Sequence, residues 1–187
     1  MPIDYRFSGG SYIGASPIIQ VDAVVPAYAS DASKMRLGST SIGVDFGTSN
    51  YGEAEFRYIK FTGAVVAGDV VLSDASGKRG VQAASGAVAT GRGIVGIAMA
   101  SHPNAATTND FGFILIRGVH SFANVATLGA GQLHVTMYLT AVAGRLGTAV
   151  VATYKADGIT ARTDTFTAGP TEGNIIELNW PVVSGNG

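Results

Sequence analysis

The stretch 51–74, YGEAEFRYIKFTGAVVAGDVVLSD, constrains the fold of this chain more than any other part of the sequence. Its EAEFRY portion alternates charged and apolar residues, a period of two that is typical of a half-buried β-strand. Ile59 and Phe61 then break the phase. A β-bulge near Ile59 or Lys60, which would return the apolar side chains to one face, is the simplest interpretation, although a strand buried on both faces also fits. A Val-rich run follows, interrupted at Gly68-Asp69. No catalytic spacing occurs here, so the stretch indicates scaffold.

The rest of the chain repeats short β-prone runs separated by turn residues. Asp157-Gly158 is the dipeptide typical of a hairpin turn, and a single helical turn is predicted at 30–35. No long amphipathic helix is indicated. We therefore predict an all-β fold, an antiparallel β-sandwich or β-barrel. The predicted strands outside the first stretch are 18–25, 93–100, 111–118, 133–142, 148–154 and 174–183.

The two ends of the chain carry aromatic residues in loose surroundings. Residues 1–17, MPIDYRFSGGSYIGASP, place aromatics between Gly and Ser without a helical period, which favours an extended N-terminal arm. Residues 18–187 are long enough for a single β-rich domain with its own core. Large aromatics commonly anchor interfaces between subunits. The candidate interface residues are Tyr5, Phe7, Tyr12 and Trp180.

The composition limits the kind of partner this chain can bind. Charged residues make up 13% of the sequence, about half the usual ~25%, and 26 of 187 residues are Gly, about twice the usual ~7%. So low a fraction of charged residues predicts that much of the surface lies against neighbouring subunits. The net charge of −1 offers no positive field. We therefore expect neither nucleic acid nor a membrane as a partner.

The sequence also lacks several targeting and redox signals. It contains no cysteine, which excludes disulfides and thiolate metal sites. The first six residues, MPIDYR, do not resemble the start of a signal peptide, and no stretch of about 18 apolar residues could span a bilayer. We expect a protein that is made in a cytoplasm and acts without secretion.

The short motifs do not indicate a cofactor or a metal. The segment 91–96, GRGIVG, matches the G-x-G-x-x-G pattern of dinucleotide sites, but the residues after it predict a strand where such a site needs a helix. A turn before a buried strand is the favoured interpretation. His102, His120 and His134 stand 18 and 14 residues apart, without a metal-ligand spacing. They are predicted to be isolated polar or interface histidines.

Nor does the sequence indicate a catalytic site. Asp69, Asp74 and Asp110 lie at predicted turns, where aspartate caps backbone amides, and nothing supports a glycosidase pair. A G-x-S-x-G nucleophile elbow is missing from the sequence. We predict that the chain is not an enzyme and has no catalytic, cofactor or metal site.

One third of the chain, about residues 55–118, resembles a known family. The motifs are FRYIKFTGAVVAGDVVLSDASG, then a small-residue segment, RGIVGIA, a polar loop and FGFILIRG. In that order they resemble the capsid decoration, or cement, proteins of tailed bacteriophages. The resemblance implies a small β-rich structural protein, often a homotrimer, that binds the major capsid protein on the outer surface of the virion. There it would stabilise the shell by clamping neighbouring subunits.

Two other functions remain open from the residues alone. A phage tail, spike or fibre component would also be β-rich and rich in Gly and Thr. A carbohydrate-binding module or small hydrolase on a β-sandwich would instead expose a platform of aromatics or a cleft with two carboxylates.

Overall fold

The computed structural model describes residues 5–7, 36–45, 51–74, 76–83, 93, 95–103, 110–148 and 154–185. In these residues there is no helix, and the predicted all-β fold is confirmed. The strands are β1 (Tyr5–Phe7), β2 (Thr40–Asp45), β3 (Glu53–Phe61), β4 (Val70–Ser73), β5 (Arg79–Gln82), β6 (Val95–Ala98), β7 (Phe111–His120), β8 (Asn124–Val125), β9 (Thr136–Leu139), β10 (Leu146–Gly147), β11 (Tyr154–Ala161), β12 (Gly169–Pro170) and β13 (Ile176–Gly185).

The observed strands fall within or close to most of the predicted runs. Strand β6 lies inside the predicted run 93–100, β7 extends the predicted 111–118 to His120, and β13 lies two residues later than predicted. The segment that follows GRGIVG is therefore a buried strand, as predicted. The predicted strand 18–25 and the helical turn 30–35 lie outside the described residues, as does most of 148–154.

Five of the strands close into a ring. Strand β3 pairs with β5 on one edge and with β7 on the other. Strand β5 pairs with β4, β4 with β6, and β6 with β7, which completes the circuit. The barrel is thus the alternative that the pairing supports. Strand β7 also pairs with β13, from which the sheet continues through β11, β9, β10 and β8 to β12.

The prediction of a purely antiparallel sheet is wrong in two places. Strands β3 and β5 run parallel, and so do β8 and β10. A parallel pair needs a longer connection than a hairpin, and β4 lies between β3 and β5 in the chain to provide it. The other pairings between the described strands are antiparallel, the isolated bridge between Phe122 and Asn174 is parallel, and the sheet is mixed.

The ring is filled by a small apolar cluster. Apart from Val65, its members come from β3, β4, β6 and β7. Gly80 of β5 faces it, since a Cβ at Gly80 would lie 2.7 Å from Ile59 Cδ1. The next residue, Val81, points the other way and is exposed, so the ring cluster is on the inside. The ring cluster consists of Ile59, Phe61, Val65, Val71, Ala98, Ile114 and Ile116.

Strand β3 is buried on both faces beyond Tyr58. Phe56 and Tyr58 belong to a larger cluster that extends to β8, β9, β11 and β13, whereas Ile59 and Phe61 belong to the ring cluster. The two-sided alternative is therefore confirmed. A bulge at Ile59 or Lys60 is wrong, because the shift in register between β3 and β7 lies at Glu55. Ring closure, rather than a bulge, gives both faces an apolar layer.

We predict that the ring cluster carries as much stability as an ordinary domain core. Ile59→Ala removes buried methylenes from a closed space and should lower the free energy of unfolding by about 2–5 kcal/mol. The matched control is Ile42→Ala, since Ile42 is exposed, and it should cost less than about 1 kcal/mol. Urea unfolding measures both. Equal losses for the two variants would contradict the filled ring.

Candidate interaction surface

A buried carboxylate lies where the Val-rich run is interrupted. Asp69 is 1% exposed. Its Oδ1 accepts a hydrogen bond from Asn124 Nδ2 at 2.7 Å. Its Oδ2 accepts one from the Val66 backbone N–H at 2.7 Å and one from Gln82 Nε2 at 2.5 Å. Burying a carboxylate without hydrogen-bond donors costs a large amount of free energy, so the folded state requires all three donors. The Asp69 carboxylate thereby fixes the positions of its three partners relative to one another.

Two glycines let neighbouring backbone segments pack closely around this carboxylate. Gly144 has a positive φ of 76°, and a Cβ there would lie 2.7 Å from the Asp69 Cγ. Gly68, with φ of 90°, lies so close to the Phe122 carbonyl oxygen that a Cβ has no room. Arg145 Nε completes the cluster by donating to Asn124 Oδ1 at 3.4 Å. Three segments therefore converge on Asp69.

These segments carry exposed apolar side chains. We call them the aspartate-anchored loops: the turn 66–69, the segment 122–124 and the turn 142–145. Each has one large apolar side chain that is substantially exposed, Val66, Phe122 and Val142 in turn. No sequence pattern pointed to this grouping beyond the polar interruption at Gly68-Asp69. Exposed apolar residues on loops that a buried network holds are typical of contact surfaces.

Trp180 is displayed by a bulge between β11 and β13. Asp157 pairs with Val182 and Ile159 pairs with Leu178, so Gly158 alone faces the residues 179–181. Gly158 has φ of 91°, and a Cβ there would lie 2.6 Å from the Asn179 carbonyl oxygen. The predicted hairpin turn at Asp157-Gly158 is therefore wrong. The glycine serves a bulge inside a strand, a use that the Asp-Gly dipeptide alone does not distinguish from a turn.

The backbone at Trp180 is strained. Its φ is 49°, a left-handed conformation that bulky residues rarely adopt, and its side chain is 44% exposed. Val182, close by on the same strand, is also exposed. Strained residues persist where the surrounding structure over-determines them, and they cluster at functional sites. Trp180 and Val182 are thus two exposed apolar residues of β13.

The other predicted interface residues lie elsewhere. Tyr5 and Phe7 are in β1, whose backbone pairs with β2. Tyr12 lies outside the described residues, as do 1–4 and 8–17, so the extended arm remains a prediction. Strands β2, β3 and β7 separate β1 from β13 in the sheet. Strand β1 is therefore not a neighbour of β13, which carries Trp180, in the described sheet.

His102 and Asp110 form a buried pair beside the ring cluster. His102 is 0% exposed, and its ring stacks on that of Phe61 with centroids 4.2 Å apart. Its Nδ1 lies 3.7 Å from Asp110 Oδ2, too far for a hydrogen bond, and neither ring nitrogen has a hydrogen-bond partner in the described part of the chain. Burial lowers the pKa of His102, and the Asp110 carboxylate opposes that shift. His102 is therefore a histidine that the surrounding structure shields from solvent.

The other two histidines have contrasting environments. Burial lowers the pKa of His120 to about 4, and its Nδ1 accepts the Phe122 backbone N–H at 3.1 Å. His134 is exposed. Over the described ranges, no group of three or more His, Cys, Asp or Glu residues is arranged to hold a metal ion. The three histidines thus belong to three separate environments.

The turn aspartates behave largely as predicted. Asp69 and Asp74 both accept backbone N–H groups of their own turns. Burial acts to raise the pKa of Asp74, but hydrogen bonds from Ser76 and from the backbone of Lys78 and Arg79 outweigh it, and the pKa is lowered. The Asp110 carboxylate lies beside His102, with 3.7 Å between Asp110 Oδ2 and His102 Nδ1.

Comparison with known proteins identifies no relative. No protein-family model, curated protein or solved structure matches this chain. Among the described residues, no helix is long and apolar enough to cross a membrane.

We predict that Asp69→Asn loosens the aspartate-anchored loops. The amide nitrogen of Asn presents hydrogens to donors that need an acceptor, so at least one buried N–H loses its partner. The free energy of unfolding should fall by about 2–4 kcal/mol. The Val66 amide should also exchange its hydrogen faster, as measured by hydrogen–deuterium exchange.

The control for this change is Asp74→Asn, which replaces an exposed turn aspartate. It should cost about 1 kcal/mol or less, because water can satisfy the amides that it frees. If Asp69→Asn is no more damaging than Asp74→Asn, the buried carboxylate does not hold the loops.

We predict that the protein loses stability as the pH falls from about 6.5 to 4. The pKa of His120 is about 4 in the folded protein and near 6.5 when unfolded, so the unfolded state binds the extra proton first. Above that pH window the titration of His120 does not change the free energy of unfolding. Below the window it lowers the free energy of unfolding by roughly 3 kcal/mol. The lowered pKa of His102 acts in the same direction.

Chemical unfolding at a series of pH values tests this expectation. His120→Asn keeps an acceptor near the Phe122 N–H but has no titrating group, so its stability should depend less on pH. His134→Asn, at an exposed position with positive φ that Asn tolerates, should keep the full dependence. If the free energy of unfolding of His120→Asn falls with pH as steeply as that of the unsubstituted protein, groups other than His120 cause the acid sensitivity.

Proposed function

We propose that this chain is a structural virion protein, a decoration or cement protein that binds the outer surface of a tailed-phage capsid. It acts as a homotrimer on the major capsid protein and clamps neighbouring shell subunits together. The single observation that carries the proposal is the strained, exposed Trp180 on its bulge. A strained backbone that exposes a large aromatic side chain costs free energy, and burial of that side chain against a partner would offset the cost.

The remaining surface supports binding rather than chemistry. Exposed apolar side chains occur on the aspartate-anchored loops as well as at Trp180 and Val182, and only 13% of all residues are charged. A sheet held by a closed ring and a buried carboxylate gives these side chains fixed positions. Fixed apolar contacts suit a protein that adds buried area across subunit seams, because little conformational entropy is lost on binding.

Repetition would make such contacts effective. A shell presents the same site many times, so weak contacts made by each subunit of a symmetric trimer add through avidity. The motif order in 55–118 and the β-rich fold both support this assignment. The sparse charge suits a surface that lies against the shell on one side and against neighbouring copies on another.

We predict that Trp180→Asn weakens capsid binding without weakening the fold. Asn tolerates a positive φ better than Trp, so the stability of the free chain should be unchanged or slightly higher. Loss of an aromatic anchor should lower affinity for purified capsids by about tenfold or more. Binding is measured by co-sedimentation with shells that lack the protein.

Two controls separate anchoring from general surface effects. Trp180→Phe keeps an aromatic ring and should bind nearly as well. Leu133→Asn changes an equally exposed apolar residue on another loop and should leave binding intact. The proposal fails if Trp180→Asn binds shells as tightly as the unsubstituted chain, or if that chain does not bind shells at all.

A further inference from the structure

His102 packs against the ring cluster in the way that an apolar residue does. Its backbone forms an isolated bridge with Val65: the Val65 N–H donates to the His102 carbonyl oxygen at 3.2 Å, and the His102 N–H donates to the Val65 carbonyl oxygen at 2.9 Å. Its ring stacks on that of Phe61. Val65 and Phe61 both belong to the ring cluster. A titratable side chain therefore lies against the apolar interior of the ring.

The imidazole of His102 is tightly enclosed. The residue is fully buried, and a Cβ at Gly112 would lie 2.7 Å from His102 Nε2. Gly112 is paired with Ile59 of β3, so this side of the imidazole faces the backbone of a paired strand. Within the described part of the chain, neither ring nitrogen has a hydrogen-bond partner. An imidazolium carries two N–H donors, and a buried donor without an acceptor costs free energy.

The charge that faces His102 from the described residues is the Asp110 carboxylate, whose Oδ2 lies 3.7 Å from Nδ1. Lys60 precedes Phe61 in β3 and therefore points to the other face of that strand. Segments 62–67 and 99–109 contain no acidic or basic residue other than His102 itself. Burial lowers the pKa of His102, and the attraction of Asp110 offsets that shift only in part.

The bridge lies beside one of the aspartate-anchored loops. The Ala67 N–H donates to Ser101 Oγ at 3.0 Å, one residue before His102 in the chain. Val66, the exposed apolar residue of the turn 66–69, lies between Val65 and Ala67. Separation of His102 from Val65 would therefore reach the first half of that turn.

We propose that His102 is an acid-sensitive latch, whose protonation releases the segment 101–102 from 65–67 and loosens the turn 66–69 while the rest of the sheet stays folded. The described hydrogen bonds between the two segments are the two of the bridge and the one to Ser101. Strands β3 and β7, by contrast, pair over six residues of each. Local opening of a weakly held segment costs less free energy than global unfolding. The inference goes beyond the proposed function and concerns the free chain, whether or not it binds a shell.

The direction of the pH dependence follows from the state that binds the proton more tightly. In the open segment the His102 ring meets water and has its ordinary pKa near 6.5, whereas burial in the closed segment lowers that pKa. The open state therefore takes up the proton first as the pH falls. The latch is closed above about pH 6.5 and loses stability below that value.

Hydrogen–deuterium exchange of single amides, followed by NMR, tests the latch. The Val65 amide reports on the bridge, because its N–H is bonded to His102. The Ala161 amide of β11, which donates to the Val135 carbonyl oxygen at 2.9 Å, reports on the rest of the sheet. Between pH 7 and pH 5, after correction for the intrinsic exchange rate, the protection of Val65 should fall about tenfold more than that of Ala161.

Three variants separate His102 from other acid effects. His102→Gln keeps a polar side chain but does not titrate, so the extra fall at Val65 should disappear. His120→Asn removes the other buried histidine and should keep the extra fall. Asp110→Asn removes the carboxylate that favours the imidazolium, so the extra fall should be at least as large as in the unsubstituted protein. This last variant also serves if His102→Gln does not fold.

The inference is overturned if Val65 and Ala161 lose protection together, because the chain then opens as a whole. It is also overturned if the extra loss at Val65 persists in His102→Gln or becomes smaller in Asp110→Asn. The measurement uses purified chain without capsids. Its failure would therefore reject the latch and leave the proposed function to the shell-binding experiment.

Discussion

The carboxylate of Asp69 is the constraint on which the arrangement of the surface loops depends. Asp69 is 1% exposed, so its carboxylate needs hydrogen-bond donors from the protein. The donors are the backbone N–H of Val66 and the side chains of Gln82 and Asn124. Satisfying one buried group therefore fixes segments that are far apart in the sequence. Glycine at 144 is required for the same reason, since a Cβ there would meet the Asp69 side chain, and glycine at 68 is required because a Cβ there would meet the Phe122 carbonyl oxygen.

The closed ring and the buried network at Asp69 form the frame on which the exposed apolar side chains lie. The ring cluster holds five strands together from inside, while the larger cluster joins them to the strands that follow. Trp180 is held outward on this frame by a bulge that Gly158 permits. The lowered pKa values of the buried His102 and His120 should make the stability fall as the pH falls. The features on which binding would depend are thus exposed, whereas the titrating groups with strongly shifted pKa values are not.

The sequence allowed the fold class to be predicted but not the grouping of surface residues. Alternation in EAEFRY and the apolar run at 111–118 marked two strands correctly, because local periodicity records which side chains face the core. Ring closure depends on pairing between distant strands, so the local pattern favoured a bulge over the two-sided burial of Tyr58 and Ile59 that the structure shows. Asp69 and Asn124 are 55 residues apart, and no local pattern indicates that they meet. The hairpin turn predicted at Asp157-Gly158 was wrong because a glycine with positive φ occurs in bulges as well as in turns.

The most direct measurement of the proposed function is the number of copies of this chain in each gradient-purified particle. Quantitative mass spectrometry against the major shell protein gives that ratio. A decoration protein that covers the lattice should be present at close to one copy per shell subunit. A handful of copies per particle would instead indicate a tail or spike component, and absence from particles would contradict a structural role in the virion.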